Sequence, residues 1–191
     1  MARFEEILDF WFGSPKSLDY GKERSFWFTK KPEFDQELGD RFLPDYKQAA
    51  GGELDYLQDS PLGCLALILL LDQFGRNMFR GTPKSFATDV KALFVAQGAV
   101  ERGCDRALLP VQRWFIYLPF EHSENLADQE RCVKLFSTLA DNPASANTIE
   151  YALRHKAVIE RFGRFPHRNK ILGRTDTAAE AEFLKQPGSS F

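Results

Sequence analysis

Hydrophobic positions recur with the helical period along almost the whole chain. Phe4, Ile7, Leu8 and Trp11 share one stripe and predict a helix over 3–12, stopped by Gly13. Pro32 opens a second stretch to about 49, with a disturbance expected at Pro44 and a stop at Gly51-Gly52. Ser60-Pro61 reads as a cap followed by proline at the first helical position. The helix it opens, about 62–77, is apolar nearly all round, which places it inside a core. Further helices are predicted over about 87–101, over 110–118 with a break at Pro119, over 124–140 behind a Ser123 cap, and over about 146–162. Thr177-x-x-Glu180 is a capping box for a last short helix.

Composition agrees with that pattern. The chain has 22 Leu and 18 Ala against 6 Val and 6 Ile, so helix formers dominate and β-branched residues are scarce. With 191 residues and no low-complexity linker, the expectation is a single all-α domain over 1–191, of eight or nine helices. An irregular bundle or a degenerate helical-hairpin array fits such a chain, although no 34-residue repeat signature stands out.

Charge and cysteine usage narrow the function classes. A formal net charge of −2 argues against a dedicated nucleic-acid binder. Cys64, Cys104 and Cys132 form no Cys-x-x-Cys pair, and an odd, scattered set suits a reducing compartment. The first residues carry acids where a secretory signal needs bases, and the longest apolar run, 65–71, is far too short to span a bilayer. The expectation is a soluble cytoplasmic chain that binds neither nucleic acid nor membrane.

Three segments hold polar residues that a plain core does not need. In the first, Asp72, Gln73, Arg76 and Asn77 close the most apolar helix, with Arg80 just beyond. A carboxylate among leucines needs a partner, and Arg76 at i+4 supplies one. In the second, Glu121, His122 and Ser123 are expected at the entrance of the following helix. Backbone N–H groups there would keep the imidazole neutral, as a general base requires. In the third, His155 lies on the stripe of Val158, Ile159 and Phe162 and points inward. Directly after it come Arg161, Arg164, His167, Arg168 and Asn169. Residues 154–174 carry seven Lys/Arg and one acid, a local field suited to an anion. Arginine forks match carboxylate and phosphate.

Two functional readings follow. In one, Asp72, Gln73, Arg76, Asn77, Arg80, Arg161, Arg164, Arg168 and Asn169 bind an anionic small molecule or peptide carboxylate. In the other, the chain is an enzyme working on an anionic metabolite with Glu121 and His122 as acid and base, His155 and His167 being further catalytic candidates. A protein-interaction scaffold is the third possibility. No cofactor fingerprint is present, and the histidine spacing is not a zinc pattern, so neither cofactor nor metal is expected.

The three segments together resemble a bacterial domain-of-unknown-function family, number 924. The resemblance rests on the run Leu-Leu-Leu-Asp72-Gln73-Phe74-x-Arg76-Asn77 with Arg80-Gly81, on Tyr117-Leu-Pro-Phe-Glu121-His122-Ser123, and on Arg161-Phe-Gly-Arg164-Phe-Pro-His167-Arg168-Asn169. It extends over nearly the whole chain, 7–191, and implies a tetratricopeptide-like helical fold. Gly75 stands where members of that family often carry proline. The resemblance brings no activity with it.

Overall fold

Residues 4–190 are described by a computed structural model; Arg3, where the first helix was expected to begin, and Phe191 lie outside them. The helices are α1 (Phe4–Phe12), α2 (Pro32–Gly51), α3 (Pro61–Ile68), α4 (Gly75–Met78), α5 (Asp89–Glu101), α6 (Pro110–Glu121), α7 (Leu126–Ser137), α8 (Ala146–Phe162), α9 (Asn169–Leu172) and α10 (Ala178–Phe183). A π-helical turn, Leu69–Phe74, joins α3 to α4, so these make one continuous rod. Counted that way there are nine rods and no strand among the described residues. No helix among them is long and apolar enough to cross a membrane.

The α3–α4 rod is the axis of the core. Ser60 caps it as expected, its side chain accepting from the Gly63 N–H at 3.1 Å. Gly63 lets the rod start against the preceding turn: a Cβ there would stand 2.1 Å from the Leu57 carbonyl oxygen. Every residue from 63 to 75 is buried, and α1, α2, α5 and α6 pack around the rod. Each fully buried Leu or Phe contributes about 1.5–3 kcal/mol by leaving water. Two aromatic triplets, Phe10-Trp11-Phe12 and Phe26-Trp27-Phe28, feed this core: Trp11, Phe12 and Trp27 close on Phe115 with ring centroids 5.6, 5.4 and 4.9 Å away, edge to face. Phe28 is the outlier, 57% exposed. A second, smaller apolar cluster, Val158, Ile159 and Phe165 with Phe162 and Phe183, lies under the loop after α8.

Proline placement departs from expectation at one position. Pro44 lies inside α2, which runs on to Gly51 as the pattern implied, but Pro119 lies inside α6 and does not end it. At Pro119 packing wins: 111, 112 and 114–121 are all buried, and that burial outweighs the roughly 3 kcal/mol cost of a mid-helix proline. The true end of α6 is made by Gln129, whose buried amide donates to the carbonyls of Phe120, Glu121 and Ser123. Asn125, not Ser123, caps α7, accepting from the Ala127 N–H at 2.8 Å. Glu121 and His122 therefore stand at the C-terminal end of one helix rather than the entrance of the next. Gly75 keeps helical angles (φ −57°, ψ −43°), so its role is close approach: a Cβ would come 3.2 Å from the Tyr46 ring.

Candidate functional site

The π turn sets the position of Asp72. One extra residue in the turn shifts the face of the rod and frees backbone carbonyls, a feature often found at functional sites. The Thr88 hydroxyl donates to one of them, Leu71, which fixes the start of α5 beside the rod. Asp89, the first residue of α5, thereby meets Arg76 of α4 in a two-point fork at 2.8 and 2.9 Å.

Asp72 is fully buried and has three side-chain partners. Arg76 Nη1 lies 2.9 Å from Oδ1, Gln73 Nε2 donates to Oδ2 at 2.5 Å, and the His122 ring donates from Nδ1 to Oδ1 at 2.7 Å. Burial pushes the Asp72 carboxyl up, yet the charge of Arg76 and the hydrogen bonds of His122 and Gln73 outweigh it and hold it below the usual range. The expected Asp72–Arg76 pair is thus present and buried.

An ionised carboxylate only accepts, so it sets the tautomer of His122: Nδ1 carries the hydrogen and Nε2 the lone pair. Burial and the neighbouring Arg76 pull the His122 pKa below its ordinary value, against the attraction of Asp72. The neutral state foreseen from the sequence therefore has another cause, since a helix C-terminus favours the imidazolium. The His122 side chain keeps 14% exposure, and among the described residues its ring is bonded through Nδ1 alone.

Two acid–base groups lie behind this dyad. Glu121 is buried, with Oε1 3.5 Å from His155 Nδ1 and Oε2 without a hydrogen-bond partner. Burial, reinforced by the charge of Asp72, pushes its pKa up to about 8, so it carries its proton at neutral pH. His155 turns inward as its stripe required; Nδ1 lies 2.8 Å from the Tyr151 carbonyl, and burial lowers its pKa to about 3. Burial and the adjacent Arg168 lower His167 to about 4.

Arg168, on the short 3-10 turn Pro166–Arg168, completes the centre. Its side chain is 8% exposed and lies between two aromatic rings, with the guanidinium carbon 4.8 Å from the Phe86 centroid and 4.5 Å from the Phe165 centroid. Asp89 stands 3.7 Å from Nη1, beyond hydrogen-bond reach, because Arg76 already holds both of its oxygens. The Arg168 side chain makes no hydrogen bond to any described residue, and its Nε is wholly buried. Burial and the like charge of Arg76 draw its pKa down to about 10.

The other arginines and amides from the sequence reading are engaged elsewhere. Asn77 and Arg80 both bind Asp35 of α2, at 2.7 Å and at 2.8 and 3.0 Å. Arg164 forks onto Glu180 at 2.6 and 2.7 Å. Arg161 is exposed against Phe162, and with Arg164 it lines an open outer groove. Asn169 donates to Asp176 at 2.7 Å. Of the nine expected binding residues, Asp72, Gln73, Arg76 and Arg168 meet in one place. Asp89, Phe86 and Phe165 were not anticipated: an acid opening a helix reads as a dipole partner, and lone phenylalanines read as core. Among the described residues, no group of three or more His, Cys, Asp or Glu side chains is arranged to hold a metal ion.

The fold and this centre define an all-helical protein with a buried carboxylate–imidazole–guanidinium cluster. Residues 7–188 match the family described as bacterial protein of unknown function (DUF924), and the chain belongs to it. A solved structure of a protein of unknown function from Agrobacterium tumefaciens is similar over 95% of this chain and 96% of that one, with 41% identity and a TM-score of 0.84. No curated protein matches the chain.

Proposed function

We propose that this protein binds a small anionic molecule, bearing a carboxylate or phosphate, on Arg168 beside His122. One observation carries the reading: a guanidinium more than nine-tenths buried, gripped by two rings, with none of its donors hydrogen-bonded. Buried donors without acceptors are costly, and an anion would supply two fork hydrogen bonds at once. Counting Asp72 and Asp89 as negative, Arg76 and Arg168 as positive, and Glu121 and His122 as neutral, the centre sums to zero, so an anion enters without meeting net negative charge. The exposed edges of Arg76, His122 and Asp89, at 14–19%, give it an approach.

The test is a thermal-shift screen with inorganic phosphate, succinate, citrate and a sugar phosphate on parent, Arg168→Ala and Arg164→Ala. An anion at about 100 times its dissociation constant contributes roughly 2.7 kcal/mol, about 5–10 °C for a chain of this size. The expected pattern is a shift in the parent and in Arg164→Ala that is lost in Arg168→Ala. A shift lost in Arg164→Ala and kept in Arg168→Ala moves the site to the outer groove. No shift with any anion transfers support to the interaction-scaffold reading.

The His122 geometry favours a second reading, acid–base catalysis on the bound anion. An imidazole oriented by a buried carboxylate through Nδ1, neutral, and with the Nε2 lone pair left unused is built to take a proton. Nitrogen-15 NMR of labelled histidine checks this. A stabilising anion should raise the His122 pKa in the parent; an unchanged value would place the anion away from Nε2.

A further inference from the structure

A different part of the molecule holds a pair of thiols that the anion site does not use. Cys64 is the fourth residue of α3 and is wholly buried; its Sγ lies 3.4 Å from the Gln58 carbonyl oxygen. Cys104 opens the 3-10 turn Cys104–Ala107 after α5, is partly exposed, and packs against the core where that turn meets α3. The two thiols are in side-chain contact with each other, and both are in contact with the Arg102 guanidinium. Arg102 Nη2 stands 3.5 Å from Cys64 Sγ and donates to the Gln58 carbonyl at 3.3 Å. The side chain reaches this position by folding back over Gly98, where a Cβ would come 2.8 Å from Arg102 Nη1. All three cysteines of the chain are reduced here.

A core does not need a guanidinium over two adjoining thiols. A cation so placed lies beside the negative sulfur that forms when a thiol attacks an oxidant. We propose that Cys64 and Cys104 form a reversible intramolecular disulfide on exposure to a hydroperoxide, with Cys104 meeting the oxidant and Cys64 resolving the product. In the first step the Cys104 sulfur, having given up its proton, attacks a peroxide oxygen. The O–O bond breaks, a sulfenic acid forms, and the other oxygen takes up a proton and leaves as water or an alcohol. In the second step the Cys64 sulfur attacks the sulfenic sulfur. The S–S bond forms, the S–O bond breaks, and the departing hydroxide leaves as water with the Cys64 proton. Two thiols thereby give two electrons to one hydroperoxide. The order follows accessibility: Cys104 is reached from solvent, whereas Cys64 is sealed behind it and burial pushes its thiol pKa up. Cys132 takes no part, being buried between α6 and α7 with its thiol against the Tyr117 carbonyl.

The experiment treats the full-length protein with one equivalent of hydrogen peroxide, then counts free thiols and maps non-reduced peptides. The expected result is a fall from three free thiols to one. The new link should join the peptides of Cys64 and Cys104 in the monomer, and dithiothreitol should restore all three thiols. Cys104→Ser should keep both of its remaining thiols, and Cys64→Ser should leave a dimedone-reactive sulfenic acid on Cys104. Because Cys64 is a core residue, its variant counts only if it melts near the parent; the map of the parent protein decides alone otherwise. Retention of all three thiols, a link that includes Cys132, a link only between separate molecules, or Cys104 oxidised beyond the sulfenic state with Cys64 still free would each overturn the proposal.

Discussion

Arg164 and Arg168 lie four positions apart, in the same basic run. Arg164 has a carboxylate of its own: Glu180 takes both branches of its fork, and the Thr175 carbonyl takes a third hydrogen bond. Arg174 is equally well served by Glu124, at 2.7 and 2.9 Å. Arg168 instead shares Asp89 with Arg76, arrives second, and is left with aromatic faces in place of acceptors. A run of positive charge in a sequence therefore does not locate a binding site. What matters is whether each guanidinium has found its own carboxylate. By that criterion Arg164 and Arg174, each holding a carboxylate of its own, fasten a loop, whereas Arg168 is buried without one.

The contrast can be broken most severely from the buried side. Asp72→Ala removes the group that anchors Arg76 and orients His122, and should cost about 3–5 kcal/mol in urea unfolding, the usual penalty for orphaning buried charge. A loss under about 1 kcal/mol would place the pair with exposed ion pairs instead. Next in size is the anion response itself. The midpoint rise of about 5–10 °C should vanish in Arg168→Ala and persist in Arg164→Ala.

A smaller effect appears in the pH dependence of stability. Below its ordinary value of 6.5, the unfolded chain protonates His155 while the folded chain, with a pKa of about 3, does not; stability is lost as pH falls through that window. Glu121 works the other way. Above its ordinary 4.5 the unfolded chain releases a proton that the folded chain keeps up to about pH 8, so stability is lost as pH rises through that window. Between about 4.5 and 6.5 these two slopes oppose each other, and His167, lowered to about 4, tips the balance toward loss of stability as pH falls; above 6.5 the Glu121 decline stands alone. Glu121→Gln should flatten the alkaline decline by a few degrees in melting scans from pH 6.5 to 8 and leave the slope below about 4.5 unchanged. An unaltered alkaline limb would mean that Glu121 is ionised at neutral pH. The smallest effect belongs to the well-paired loop: Arg174→Ala should cost about 1 kcal/mol by urea unfolding and leave the anion response intact.

Much of the frame was legible in the chain. The Ser60 cap, the all-round apolar rod and the Thr177–Glu180 capping box are local features, and each has the role its pattern implied. The Asp72–Arg76 pair was legible for the same reason, because i and i+4 are neighbours on any helix that continues between them. The errors came where burial competes with local preference. Pro119 ought to end a helix by backbone chemistry, but a segment buried along its length does not stop there. That error moved His122 from a helix start to a helix end and gave the right protonation state for the wrong reason.

By itself, then, the sequence determined an all-helical chain, the place of its most buried rod and the segments where polar chemistry gathers. These depend on periodicity and capping, which act within a few residues. Only the tertiary structure decided which carboxylate neutralises which arginine and which histidine is oriented. Asp72 and His122 are 50 positions apart, as are Glu124 and Arg174, and Arg76 reaches Asp89 across 13. Electrostatic pairing depends on distance in space and on exclusion of water, and neither is fixed until the helices pack.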